Sequence, residues 1–192
     1  MTKTVAIIGA GFSGSLTALN ILELSGGRDV EVILVDPRGT FGPGLAYTVP
    51  SDRFKLNVRA KAMGAFPSEP EGFLKWLSER DPSCSGEDFV SRRLYGAYLE
   101  QLVTDAAKRH PQALRLVSGE VVDVRRSSSG QPFSLTLANG ESIEADICVL
   151  AIGNVLRKGV GACSTRSLLR EPYRTEIYND LGEIKELFIL GS

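Results

Sequence analysis

Apolar runs and amphipathic stretches follow one another in a fixed order along the first 36 residues. Thr4 to Ile8 is a β-branched and apolar run that stops at Gly9, the pattern of a strand buried on both faces. Ser13 to Leu24 then carries Leu16, Leu19 and Ile21 to Leu24 at helical spacing and ends at Gly26-Gly27, which stop a helix. Val30 to Val35 is a second buried run. Strand, helix and strand in so short a span predict a βαβ unit over 1–36, with a parallel pair and a right-handed crossover.

The periodicity then dissolves. From 37 to 90 glycine, proline and single aromatics dominate, with GPGLAY at Gly42 to Tyr47 and LNVRAKAMGAFP at Leu56 to Pro67. This excursion is too apolar for disorder and reads as a segment that covers a ligand. It includes a helix from Pro70 to Glu79, with Phe73, Trp76 and Leu77 on one face. A further helix is predicted over 91–110, where Leu94, Tyr98, Leu102 and Ala106 recur at steps of four. Over 114–145 the chain changes to short runs, Leu114 to Val117, Glu120 to Arg126, Phe133 to Leu137 and Ser142 to Glu144, around the turns SSSGQP and ANGE. These predict a small antiparallel meander. The apolar run at 146–153 ends at Gly153 and is expected to return to the parallel sheet.

The fold class expected is therefore α/β: a Rossmann-like domain with a parallel central sheet plus a small antiparallel β-meander. Glu186 to Leu190, ELFIL, reads as another strand, and the sequence stops just after it at Gly191-Ser192. A domain over 1–184 is expected, with 185–192 as the opening of a truncated second dinucleotide-binding unit.

GAGFSG, Gly9 to Gly14, stands where a GxGxxG fingerprint has meaning, after a predicted strand and at the start of a predicted helix. Gly9 allows the tight turn, Gly11 lets the backbone approach a pyrophosphate with no Cβ in the way, and Gly14 lets the helix pack closely on the sheet. Ala10, Phe12 and Ser13 complete this turn, and the helix start offers unpaired N–H groups and a partial positive charge to phosphates. Asp36, 22 residues past Gly14, ends the second strand, where a carboxylate accepts hydrogen bonds from the hydroxyls of an adenosine ribose. Its charge disfavours a 2′-phosphate, so FAD or NAD is expected here rather than NADP. Pro37 and Arg38 follow it and belong to the same expected cofactor contact. Spacing alone does not separate FAD from NAD.

Composition narrows the ligand more than the fold. Among 192 residues the charges nearly cancel, 23 acidic against 22 basic, so no field of either sign points to nucleic acid or an anionic membrane. A small-molecule partner is expected. Cys84, Cys148 and Cys163 are widely spaced and form no CxxC pair, which argues against a disulfide framework, a zinc site and a redox dithiol. The apolar stretch after Lys3 is broken too often by glycine and polar residues for a signal peptide or membrane span, and a cytoplasmic protein is expected.

The order of excursion, meander and VLAIGN at Val149 to Asn154 resembles the two-dinucleotide-binding-domain flavoproteins of the glutathione reductase type. VLAIG is similar to their ATG motif, with isoleucine where threonine is usual and Ala151 and Gly153 retained. A closer resemblance covers nearly the whole chain: GAGFSG, VDPRGTFGPGLAY, LNVRAKAMGAFPSEP, FLKWL and SRRLYGAYL look like the bacterial FAD-NAD(P)-binding family of flavoproteins, relatives of N-hydroxylating and Baeyer–Villiger-type monooxygenases. LNV with MGAFP is the specific part. The resemblance implies FAD on this domain and NAD(P)H as co-substrate, with the second nucleotide unit beyond ELFIL absent. It places Arg92 near the pyrophosphate, Val122 against adenine through its backbone, and Asn57 and Met63 towards the isoalloxazine.

No Ser/His/Asp set and no metal-ligand spacing can be built from the chain. His110, the single histidine, sits at a helix end where the dipole accounts for it. In a flavoprotein the cofactor carries the electrons and the protein supplies position and electrostatics, so a catalytic side chain need not stand out. Three readings result: an FAD-dependent oxidoreductase, monooxygenase-like and reduced by NAD(P)H; an NAD-dependent dehydrogenase; and a nucleotide-binding module without turnover.

Overall fold

A computed structural model describes residues 2–49, 51–126 and 128–153. The ELFIL segment, the expected second unit and Cys163 lie outside the described residues. Among the described residues four strands form a parallel sheet: β1 (Lys3–Ile8), β2 (Val30–Asp36), β3 (Leu114–Ser118) and β7 (Ile147–Leu150), in the order β3-β2-β1-β7. Between β1 and β2 runs helix α1 (Phe12–Ser25), which ends where the Gly26 and Gly27 N–H groups take up the carbonyls of Glu23 and Leu22. The excursion holds a single turn, α2 (Gly44–Tyr47), a 3₁₀ turn at Ala60–Ala62 and helix α3 (Gly72–Ser78). Helix α4 (Arg92–Arg109) is capped by Ser91, whose side chain accepts from the Arg93 N–H at 3.1 Å.

A second, antiparallel sheet of three strands contains β4 (Val121–Arg126), β5 (Phe133–Leu137) and β6 (Ser142–Ala145). The parallel sheet is the middle layer of three. Val5, Ile7, Val32 and Leu34 point to one face, where Ala18, Leu19 and Leu22 of α1 and Val103 and Ala106 of α4 cover them. Ala6, Ile33 and Val35 point to the other and meet Leu135, Leu137, Ile143 and Ala145 of the antiparallel sheet. The period-2 side chains of buried parallel strands thus feed two separate cores. A further core under the excursion joins Leu56, Ala60, Phe73 and Leu77 to Tyr95, Tyr98 and Leu99 of α4.

The structure corrects the expected meander over 114–145. Leu114–Ser118 pairs parallel to β2, from Val32 opposite Leu114 to Asp36 opposite Ser118, and among the described residues the antiparallel sheet has only the three later strands. The physical reason is that β3 stands, among the described residues, at an edge of the parallel sheet. Leu114 is buried in the core with α4, Arg115 and Ser118 are exposed and Leu116 and Val117 are half-buried, a mixed pattern that a meander strand also shows. The expected excursion also contains α2 and the 3₁₀ turn, each too short to show a period.

Cys84 and Cys148 carry free thiols. No helix among the described residues is long and apolar enough to cross a membrane.

Candidate functional site

The sheet order makes β1 the switch point. The chain moves from β1 to β2 and β3 on one side, then returns to β7 on the other, and in such sheets a crevice opens at the carboxyl ends of the strands where the order reverses. The fingerprint turn, Gly9 to Gly14, occupies that place. The Gly9 N–H bonds the Val35 carbonyl at 2.8 Å, and the Ala151 N–H bonds the Ile8 carbonyl at 2.8 Å, so both neighbouring strands hold the turn. Gly9 adopts φ +101°, and a Cβ there would stand 2.3 Å from the Ala151 oxygen. Ala151 therefore belongs to the wall of the turn.

Gly11 is the N-cap of α1, yet no side chain caps this helix and no acidic residue stands in its first turn. The Gly11, Phe12 and Ser13 N–H groups have no acceptor among the described residues, so donors and the positive end of the dipole remain for an anion. Ser15 is fully buried, and its Oγ donates to the Ala10 carbonyl at 2.9 Å, pinning the turn from inside the helix. Two glycines that the sequence reading left in the covering excursion belong here as well. The Gly42 N–H bonds the Ala10 carbonyl at 2.9 Å, and Gly44, at φ +59°, would place a Cβ 2.8 Å from the Gly11 Cα. Gly96 of α4 backs the same turn, for its Cβ would meet the Tyr47 oxygen at 2.5 Å. The α2 turn is thus wedged between the tip of α1 and the side of α4, with glycine at each contact. Its signal was the GPG string itself.

Asp36 joins the turn through the Ala10 N–H, which donates to Oδ2 at 2.9 Å. Arg38 closes over the same carboxylate: its Nε and backbone N–H donate to Oδ1 and its Nη2 donates to Oδ2, all at 2.9 Å. Burial alone would raise the Asp36 pKa, but the Arg38 guanidinium and the Ala10 and Arg38 N–H groups outweigh it and hold the carboxyl below its ordinary range. Arg38 is raised in turn, first by its bond to Asp36. Pro37 carries the chain from the acid to this arginine.

The other expected residues are less closely joined. The Arg92 Nε donates to the Lys55 carbonyl at 3.1 Å, and its charge reaches Tyr47, whose ring stands 5.6 Å from that of Phe12 in the first turn of α1. Burial raises the Tyr47 pKa, and Arg92 opposes that rise. Val122 sits where the β4–β5 register shifts, and it is 58% exposed. Asn57 is exposed, and Met63 packs against the core under the excursion; no hydrogen bond among the described residues ties either to the fingerprint. Gly153 lies beyond β7 at φ +68°, where a Cβ would meet none of the described residues within 4 Å.

The arrangement fits the ADP half of a dinucleotide: uncapped N–H donors on glycine-lined backbone, with an ionised carboxylate one strand away. Solved structures share the fold at low identity. A closed crystal structure of cyclohexanone monooxygenase is 19% identical, with a TM-score of 0.56 over 84% of this chain and 28% of that one. A cyclohexanone monooxygenase mutant from Rhodococcus sp. Phi1, bound to NADP+, is 19% identical, with a TM-score of 0.54 over 80% of this chain and 26% of that one. The Diels-Alderase PyrE3 of pyrroindomycin biosynthesis is 20% identical, with a TM-score of 0.51 over 79% and 32%. This chain therefore spans between about a quarter and a third of the structures it matches. No curated protein matches it in sequence. A family model described as FAD-NAD(P)-binding matches residues 6–155, which include the whole site from Gly9 to Gly153, and the chain belongs to that family.

Proposed function

We propose that this chain is the FAD-binding portion of an NAD(P)H-dependent flavin oxidoreductase acting on a small molecule. The observation that carries the reading is the uncapped start of α1, lined by Gly9 and Gly11 and tied through Ala10 to the carboxylate of Asp36. Family membership supports FAD over a plain NAD dehydrogenase. In this reading the N–H groups of Gly11, Phe12 and Ser13 hold the pyrophosphate, Gly14 keeps the helix close enough to aim them, and Asp36 takes the ribose. Arg92 pairs with a phosphate oxygen, the Val122 backbone meets adenine, Asn57 and Met63 lie towards the flavin ring, and Ala151 and Gly153 belong to the segment that closes over the FAD. The isoalloxazine supplies the electron transfer when FAD is bound. A monooxygenase is the finer form of this reading, supported by the fold shared with cyclohexanone monooxygenases; a cytoplasmic location is proposed beside it from the glycine and polar residues that break the N-terminal apolar stretch.

A second reading is a nucleotide-binding module without turnover, which the uncapped start of α1 and the Asp36 carboxylate would serve equally well. The deciding experiment is denaturing release of bound cofactor from the purified chain, identification by mass, and assay of NADH and NADPH oxidation. FAD released with oxidation of either nucleotide is the expected result. FAD without oxidation supports the module, and release of NAD overturns the flavin reading.

A further inference from the structure

The Asp36 carboxylate is saturated. An ionised carboxylate has about four acceptor positions on its two oxygens. Here Oδ1 accepts from the Arg38 N–H and Nε, while Oδ2 accepts from the Ala10 N–H and the Arg38 Nη2. Two of these donors are backbone, one in the fingerprint turn and one just past the end of β2. The other two are the fork of one guanidinium, and it is these that close the carboxylate off: the Asp36 side chain is 4% exposed, whereas that of Arg38 is 41% exposed.

We infer that Arg38 competes with the ribose for Asp36, so that a nucleotide carrying a free 2′,3′-diol binds only after displacing the guanidinium. This rests on the proposal that the ADP half of a dinucleotide occupies the site. A diol presents two O–H donors to the two oxygens of a carboxylate, which is the service that Nε and Nη2 already perform. The two donor pairs exclude each other. The backbone donors from Ala10 and Arg38 stay in place throughout, so the carboxylate does not have to move. Arg38 alone changes, and its exposed side chain gives it room to swing outward. The affinity for a diol-bearing nucleotide is then reduced by the fraction of molecules in which Asp36 is open. Arg38 thus acts as a positioning residue that sets how much the diol contributes to recognition, rather than as a contact to the nucleotide.

The test measures ADP and 2′,3′-dideoxy-ADP binding by calorimetry to the full chain and to Arg38→Met, stripped of any bound nucleotide. Dideoxy-ADP has no diol and leaves the guanidinium where it is, so only ADP bears the cost of displacement. Arg38→Met is expected to bind ADP about tenfold more tightly, as for a latch closed roughly nine times in ten, with dideoxy-ADP unchanged. Arg38→Lys, which offers one ammonium in place of the fork, is expected to show a smaller gain, and it carries the test should the methionine variant fail to fold. Weaker ADP binding in either folded variant, or an unchanged ADP affinity, overturns the inference while leaving the nucleotide site standing. Absence of ADP binding by wild type and variants alike overturns both.

Discussion

Gly14 stands so close to Gly9 that a Cβ on it would lie 1.9 Å from the Gly9 carbonyl oxygen. Helix α1 and the turn that precedes it are in backbone contact. The third glycine of the fingerprint is therefore a packing requirement that holds with or without a ligand. Gly14→Ala is expected to destabilise the chain by about 3 kcal/mol, at the upper end of overpacking costs, because backbone must move. Urea unfolding midpoints check this.

Gly11 differs. Among the described residues a Cβ there meets only the Gly44 Cα, at 3.3 Å, and Gly11 has extended backbone angles open to any residue. Gly11→Ala is expected to cost less than about 1 kcal/mol of stability, the scale of an N-cap substitution, while weakening ADP binding by at least about tenfold. Calorimetry beside the same unfolding series separates the two effects; a loss of stability as large as that of Gly14→Ala would contradict the assignment.

Gly44 carries both constraints. Its φ of +59° disfavours a side chain, and a methyl would press on the Gly11 Cα at 2.8 Å. Gly44→Ala is expected to cost about 2 kcal/mol and to weaken ADP binding by displacing the helix tip. Thermal unfolding and an ADP titration provide the measurement.

The depressed pKa of Asp36 ties stability to pH. Its folded value lies below its unfolded one, so the stabilisation is complete above the unfolded-state value near about pH 4 and disappears as pH falls through the folded value. Melting temperatures from pH 7 to pH 3 are expected to show an acid-side loss in the wild type that Asp36→Asn lacks. Parallel curves would remove Asp36 from the acid response.

Phe73 is fully buried against Trp76, Tyr95 and Tyr98, with ring centroids 5.0–6.0 Å apart. Phe73→Ala is expected to cost about 3–5 kcal/mol, concentrated in the core under the excursion. Limited proteolysis with mass mapping should place the earliest new cuts within 37–90.

The βαβ unit was legible because its signals are local: apolar runs of strand length, helical spacing, and glycines at the points of reversal. The β5–β6 hairpin was legible for the same reason, from ANGE, where the Leu137 N–H bonds the Glu141 carbonyl. Leu114–Ser118 was misread because an edge strand of a parallel sheet and a meander strand share one period, and only the partner distinguishes them. Asp36 was visible as an acid after a strand, but its saturation by Arg38 was not, since DPR in sequence says nothing about which atoms the arginine reaches. The role of Gly42 and Gly44 was hidden likewise, because their neighbours come from α1 and α4, distant in sequence.

Val5 pairs with Val32 on one side and with Ile147 on the other. On the ribosome, the first strand meets its early neighbour almost at once, whereas the later one emerges only after the excursion, α4 and the antiparallel sheet have been made. Until then a nascent polypeptide carries a half-paired strand beside an incomplete crevice. Closing so long a loop is entropically costly and slow, so ligand competence is expected to arise late in folding, as β7 docks and Ala151 reaches Gly9.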